Sequence, residues 1–119
     1  MDSSYSTLKH AIAMFWNCDV SRDDLNDISF LTEHFRNALE SCQTTMIKMD
    51  HHEFKPEGIT IIAILADSHA ILHTWPESSF VMAEIFTCGQ RSSSIAGINY
   101  LIDIFKPKMH DLQDKIIKI

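Results

Sequence analysis

Three cysteines, Cys18, Cys42 and Cys88, are all that this 119-residue chain contains. The count is odd and no CxxC spacing occurs, so neither a disulfide framework nor a zinc knuckle is expected. Positive charge is also scarce. Ten Lys and Arg stand against 16 Asp and Glu, a formal charge of -6, whereas nucleic-acid partners normally need clustered cations facing the phosphates. A nucleic-acid partner is therefore not expected. No apolar run approaches the ~18 residues of a membrane-spanning helix. The opening Met1-Asp2-Ser3-Ser4-Tyr5 lacks the basic and apolar regions of a secretory signal. A cytoplasmic location without a membrane partner is expected. Repeats, low-complexity tracts and linkers are missing, and the length places the whole chain, 1–119, in one domain large enough for a real core.

What is present is a regular switch of periodicity. Leu8 to Phe15 is short and apolar-rich, a strand, and Asn17-Cys18-Asp19 ends it with turn-forming side chains. Ser21 supplies an N-cap, with Asp23 and Asp24 as acids suited to a helix start. Ile28, Leu31, Phe35, Ala38, Leu39 and Cys42 then recur at helical spacing, which predicts a helix of about five turns. Thr44 to Asp50 reads as a strand. After the Lys55-Pro56-Glu57-Gly58 turn, Ile59 to Ala66 is almost wholly apolar and reads as a strand buried on both faces. His69 to Thr74 and Phe80 to Phe86 are further strands. One of Ser92, Ser93 or Ser94 caps a second helix with Ile95, Ile98, Leu101, Ile102 and Phe105 on its apolar face, and Pro107 stops it. The tail from Met109 to Ile119 reads as strand or frayed helix and is assigned to a strand. This order predicts an α+β fold, a two-layer sandwich of a mainly antiparallel sheet with two helices on one face. The other sheet face then needs cover, which a second copy in a two-fold homodimer supplies most simply.

The chemistry concentrates between Leu65-Ala66-Asp67-Ser68-His69 and His73-Thr74-Trp75-Pro76-Glu77, with Phe86-Thr87-Cys88-Gly89 one hairpin later. A serine hydroxyl beside its own preceding carbonyl can attack it in an N-to-O acyl shift. Removal of the serine α-proton then expels the ester by β-elimination, and the dehydroalanine hydrolyses to a pyruvoyl group with loss of ammonia. A terminal ketone of that kind forms a Schiff base with an amine substrate and accepts the electrons left when carbon dioxide departs. By residue type alone, other readings stay open. Phe54, Trp75 and Phe86 belong in a core by size, and Cys88 is by default a small buried hydrophobe. His69 and His73 share one strand face, where a metal site with His51 or His52 is conceivable. No third ligand has diagnostic spacing, so no metal is expected.

Ala66-Asp67-Ser68-His69, His73-Thr74-Trp75-Pro76-Glu77 and Phe86-Thr87-Cys88-Gly89 together resemble the small prokaryotic form of S-adenosylmethionine decarboxylase, a self-processing pyruvoyl enzyme of spermidine synthesis. Leu8-Lys9-His10, Asn17-Cys18-Asp19 and His52-Glu53-Phe54-Lys55-Pro56 with Gly58 extend the similarity over roughly residues 8 to 106. The resemblance implies cleavage at Asp67–Ser68, giving a β chain 1–67 and an α chain 68–119, with Ser68 as precursor of the pyruvoyl cofactor. It implies that His73 takes the serine α-proton as a neutral imidazole. Cys88, a thiol of near-neutral pKa, is implied as the acid that protonates the substrate α-carbon. By the same resemblance, Thr60, standing for a usual serine, is implied to assist processing, Glu77 to bind ribose hydroxyls and Phe54 to stack on adenine.

Three positions depart from the family pattern. Asp67 is one methylene shorter than the usual Glu, which implies slower processing. Gly58-Ile59-Thr60-Ile61 stands where Gly-Val-Ser-Gly is common, so Ile61 is expected to narrow the substrate pocket. Glu57 replaces a common aromatic, and its carboxylate is expected to favour a cationic substrate. Beside S-adenosylmethionine, two alternatives therefore stay open: a homologue that decarboxylates arginine or ornithine, and an unprocessed, catalytically silent regulatory or binding homologue.

Overall fold

The computed structural model describes residues 7–119. β1 (Thr7–Cys18) is followed by α1 (Ile28–Ser41), the strands β2 (Met46–Glu53), β3 (Ile59–Leu65), β4 (His69–Trp75) and β5 (Phe80–Cys88), then α2 (Ser94–Phe105) and β6 (Pro107–Lys118). The six strands form one sheet in the order β2-β3-β4-β5-β1-β6, with antiparallel neighbours throughout. With α1 and α2, this is the predicted α+β sandwich. Among the described residues no helix is long and apolar enough to cross a membrane.

The helical layer forms because each helix has one apolar stripe and a side-chain cap. Asp27 caps α1 by accepting from the backbone N–H of Ser29 and Phe30. Ser21 instead accepts from Asp24 N–H at a short 3-10 turn, Asp24–Asn26, ahead of the helix. The predicted start at Ser21 was therefore nearly two turns too early, since a hydroxyl followed by acids suits either kind of turn. Ser93 caps α2 through Ala96 N–H. Leu31, Phe35, Leu39, Ile98, Leu101 and Phe105 are fully buried against the sheet, each worth about 1.5–3 kcal/mol relative to an exposed side chain. At the helix crossing, Gly97 is required by close approach: a Cβ there would lie 2.5 Å from Cys42 Sγ and 2.7 Å from Ile85 Cδ1.

The sheet's two faces differ. Ala11, Ala13 and Phe15 of β1, Ile59, Ile61, Ala63 and Leu65 of β3, and Val81, Ala83 and Ile85 of β5 turn inward and are buried. The expectation that Ile59 to Ala66 is buried on both faces is corrected: burial alternates along β3, and Ile62 and Ile64 are about half exposed, at 46% and 48%. Continuous apolarity hid this period of two. On the same outer face stand Ile12, Met14, Trp16, Ile71, Trp75, Phe80, Met82 and Phe86, an apolar surface unlike the solvated polar face that such a sheet usually presents. The tail is a full strand, β6, paired along β1 from Cys18↔Pro107 to Thr7↔Lys118.

Candidate active site

The proposed cut point closes the β3–β4 hairpin. Leu65 N–H donates to Ser68 C=O at 2.8 Å, and Ala66 N–H is held by Thr45 C=O at 2.9 Å, so Asp67 is exposed in a two-residue turn and Ser68 is the first residue past it. Strand alternation directs Ser68 inward, because His69 is exposed and Ala70 buried. Ser68 Oγ is shielded from solvent and has no protein partner, a condition it shares with Thr87 Oγ1. Such an unpaired hydroxyl costs about 1–3 kcal/mol. Cys88 ends β5 on the outer side of the same end. Burial first, and the charge of Asp67 second, push its thiol above the ordinary range. The near-neutral thiol expected from the motif is thus corrected: the shift runs upward, away from neutrality. The thiols of Cys18 and Cys42, buried in the core, are pushed up to about 11.

The remaining predicted residues gather at the other end of β3 and β4, where the register pairs Thr60 with His73. Thr60 Oγ1 and His73 Nδ1 share a short hydrogen bond. When Nδ1–H donates to Thr60, Nε2 is left with the basic lone pair. The His73 ring lies 3.9 Å from that of Trp75 and 5.5 Å from that of Phe54. Burial under these rings lowers the His73 pKa, with Glu77 acting in the opposite direction, which keeps the imidazole neutral at pH 7. Phe54, Trp75 and Phe86, core residues by size, lie on the outer face instead, and Phe54 is 42% exposed. A pocket of about 190 Å³ beside Thr60 is lined by Asp50, His51, His52 and Ile62. A cleft of about 490 Å³ runs along the flank of α1 and includes none of these residues.

Within one chain these two groups do not meet. His73 is five residues beyond Ser68, and a strand rises about 3.3 Å per residue, so roughly 16 Å separates them. Two other expectations are corrected. Ile61 is fully buried in the core and does not narrow an outer-face pocket. Glu57 is held by a two-pronged ion pair from Arg22, and hydrogen bonds from Arg22 first, with Glu77 also contributing, keep its carboxyl below the usual range. Among the described residues no group of three or more His, Cys, Asp and Glu is gathered to hold a metal ion.

The family model for S-adenosylmethionine decarboxylase matches residues 9–115. The chain belongs to the S-adenosylmethionine decarboxylase family. It is 36% identical over 106 residues to the S-adenosylmethionine decarboxylase proenzyme of Methanococcus aeolicus, covering 89% of each chain. It is 34% identical over 105 residues to the proenzyme of Brevibacillus brevis, covering 87% of this chain and 77% of that one. The crystal structure of the adenosylmethionine decarboxylase from Aquifex aeolicus superposes with a TM-score of 0.85 at 26% identity, over 96% of this chain and 92% of that one. A Trypanosoma brucei AdoMetDC monomer shares the fold at TM-score 0.63 and 16% identity, with 87% of this chain matching 44% of that one. For this decarboxylase family member, sequence reasoning missed Trp75 as a partner of His73 and Arg22 as the partner of Glu57. The tilted ring contact had a signal in the two-residue spacing of His73 and Trp75, which puts both on one strand face; the ion pair, 35 residues apart in sequence, had none.

Proposed function

We propose that the chain is a self-processing, pyruvoyl-dependent decarboxylase that cuts its own Asp67–Ser68 bond and decarboxylates S-adenosylmethionine to the aminopropyl donor for spermidine synthesis. The observation that carries this reading is Ser68 at the end of the hairpin with a shielded hydroxyl bound to nothing else. A serine that must become both nucleophile and cofactor precursor fits that position. Once formed, the pyruvoyl group supplies a ketone that takes up the electrons released as carbon dioxide leaves.

The chain's own side chains supply the proton traffic. His73, neutral and oriented by Thr60, accepts the Ser68 α-proton at Nε2. Cys88, whose thiol stays protonated, returns a proton to the substrate α-carbon. Phe54 offers an exposed ring to adenine, and Glu77 offers a carboxylate to ribose hydroxyls. A proton transfer needs contact at about 3 Å, against the roughly 16 Å between Ser68 and His73 along β4. The reading therefore completes each site from two copies. Face-to-face pairing about a two-fold axis brings Phe54, Thr60, His73 and Glu77 of one copy to Ser68 and Cys88 of the other. The apolar outer face supports such a homodimer.

S-adenosylmethionine is favoured over arginine or ornithine because Glu57, the extra carboxylate, is already engaged by Arg22. Denaturing mass spectrometry tests the first step: fragments 1–67 and 68–119 are expected, and a chain that stays whole after long incubation contradicts self-processing. Carbon dioxide release from S-adenosylmethionine, arginine and ornithine tests the second. Preference for a free amino acid overturns the substrate assignment.

A further inference from the structure

We propose that Thr87 is a positioning residue for the self-cleavage, its hydroxyl orienting that of Ser68 towards the Asp67 carbonyl. The proposal rests on the self-processing reading above. Ser68 Oγ and Thr87 Oγ1 are, among the described residues, the two shielded side-chain oxygen or nitrogen atoms without a protein hydrogen-bond partner. Ser68 immediately precedes β4, and Thr87 lies in the neighbouring β5. The β4–β5 register ends at His69↔Phe86, and its continuation by one step sets Ser68 opposite Thr87, where facing Cβ atoms are about 4.5–5.5 Å apart. Thr87 is 1% exposed and turned to the helix side, as is Ser68, so a change of side-chain rotamer closes the gap between the hydroxyls.

Among the described residues, the other side chains assigned to the chemistry and the neighbouring Lys9 and Ser92 are turned away or engaged elsewhere. Thr60, His73 and Cys88 lie on the outer face. On the inner side, Lys9 Nζ donates to the carbonyls of Gln90 and Ser92, and Ser92 Oγ donates to those of Cys88 and Gly89. In the acyl shift, the Ser68 Oγ–Asp67 C bond forms and the Asp67 C–Ser68 N bond breaks. The hydroxyl proton ends on the freed Ser68 nitrogen. Thr87 Oγ1 accepts a hydrogen bond from the attacking hydroxyl, fixes its direction, and leaves the step unchanged.

The test follows the appearance of the two fragments in freshly folded full-length chains, wild type, Thr87→Val and Thr87→Ser, together with their melting temperatures. Thr87→Val is expected to cut at least about tenfold more slowly while melting no lower than wild type, because it removes an unpaired buried hydroxyl. Thr87→Ser is expected to cut at close to the wild-type rate. Hydroxylamine, which cleaves an ester once formed, is expected to rescue His73→Ala and not Thr87→Val, since Thr87 acts before the ester exists. Wild-type cutting in Thr87→Val, equally slow cutting in Thr87→Ser, a lowered melting temperature accompanying slow cutting, or rescue of Thr87→Val by hydroxylamine each overturns the proposal while leaving self-processing standing. A wild-type chain that never cuts overturns both.

Discussion

The hairpin end of β3 and β4 and the opposite end of the same strands treat their key side chains in contrary ways. At the hairpin, Ser68 Oγ is shielded and has no protein partner. At the other end, His73 is bonded to Thr60 and flanked by the rings of Phe54 and Trp75. A nucleophile needs its lone pair unspent, whereas a base needs its tautomer and ring fixed. On the proposed reading, the difference makes these ends two half-sites of different design, each incomplete within one chain for the chemistry assigned to it.

Breaking the base end has the largest expected effect. His73→Ala should slow chain cleavage by about 10²–10⁴-fold, the usual contribution of a positioned proton acceptor, read by the rate of fragment formation. Thr60→Val should slow it by a smaller factor, about tenfold, and Thr60→Ser should restore it, because only the orienting hydroxyl is changed. Cys88→Ala sharpens the comparison from the other end: cleavage should persist while decarboxylation by the cut enzyme falls, a split visible when fragments and carbon dioxide are measured on one sample.

The pH dependence separates the two ends as well. Burial lowers the His73 pKa below the ordinary 6.5, so the neutral base is present at pH 7 and is lost only on acidification. The cleavage rate should therefore be flat near neutrality and fall below pH 6.5. The unfolded chain binds the proton more readily in that interval, so the His73 contribution to stability has the same sign and declines as pH falls. Decarboxylation should fail on the alkaline side, above the ordinary thiol value of 9.0, because the Cys88 pKa is raised. The smallest effect on chemistry belongs to Gly97→Ala, which should lower stability by about 1–3 kcal/mol through overpacking against Cys42 and Ile85 and leave both half-sites unchanged in the folded fraction.

Much of this fold is legible in the chain. Leu31, Phe35, Ala38 and Leu39 in α1 and Ile98, Leu101 and Phe105 in α2 repeat at helical spacing, and those residues are buried. The strands between Met46 and Cys88 are bounded by turn residues such as Gly58, whose φ of +110° would strain any other residue and where a Cβ would lie a tight 3.3 Å from Thr74 C=O. β6 was harder to read because it is an edge strand with most side chains exposed, so no alternation of apolar residues announces it. Ile62 and Ile64 disguised the outer face of β3 as core. The site was legible in residue type and not in arrangement. Ser68 and His73 look adjacent in the motif, yet an extended strand separates them and turns them to opposite faces, and nothing in the linear spacing of Ser68 and Thr87 suggests the facing position proposed for them.

Co-folding a Ser68→Ala chain with a His73→Ala chain at equal concentrations tests the composite site most directly. Neither variant is expected to cut alone. In a mixed dimer, one site joins an intact Ser68 to an intact His73 of the partner subunit, so with random pairing about half of the His73→Ala chains should be cut between Asp67 and Ser68. A His73→Ala chain that stays whole in mixed dimers, or one that cuts unaided, would contradict the account.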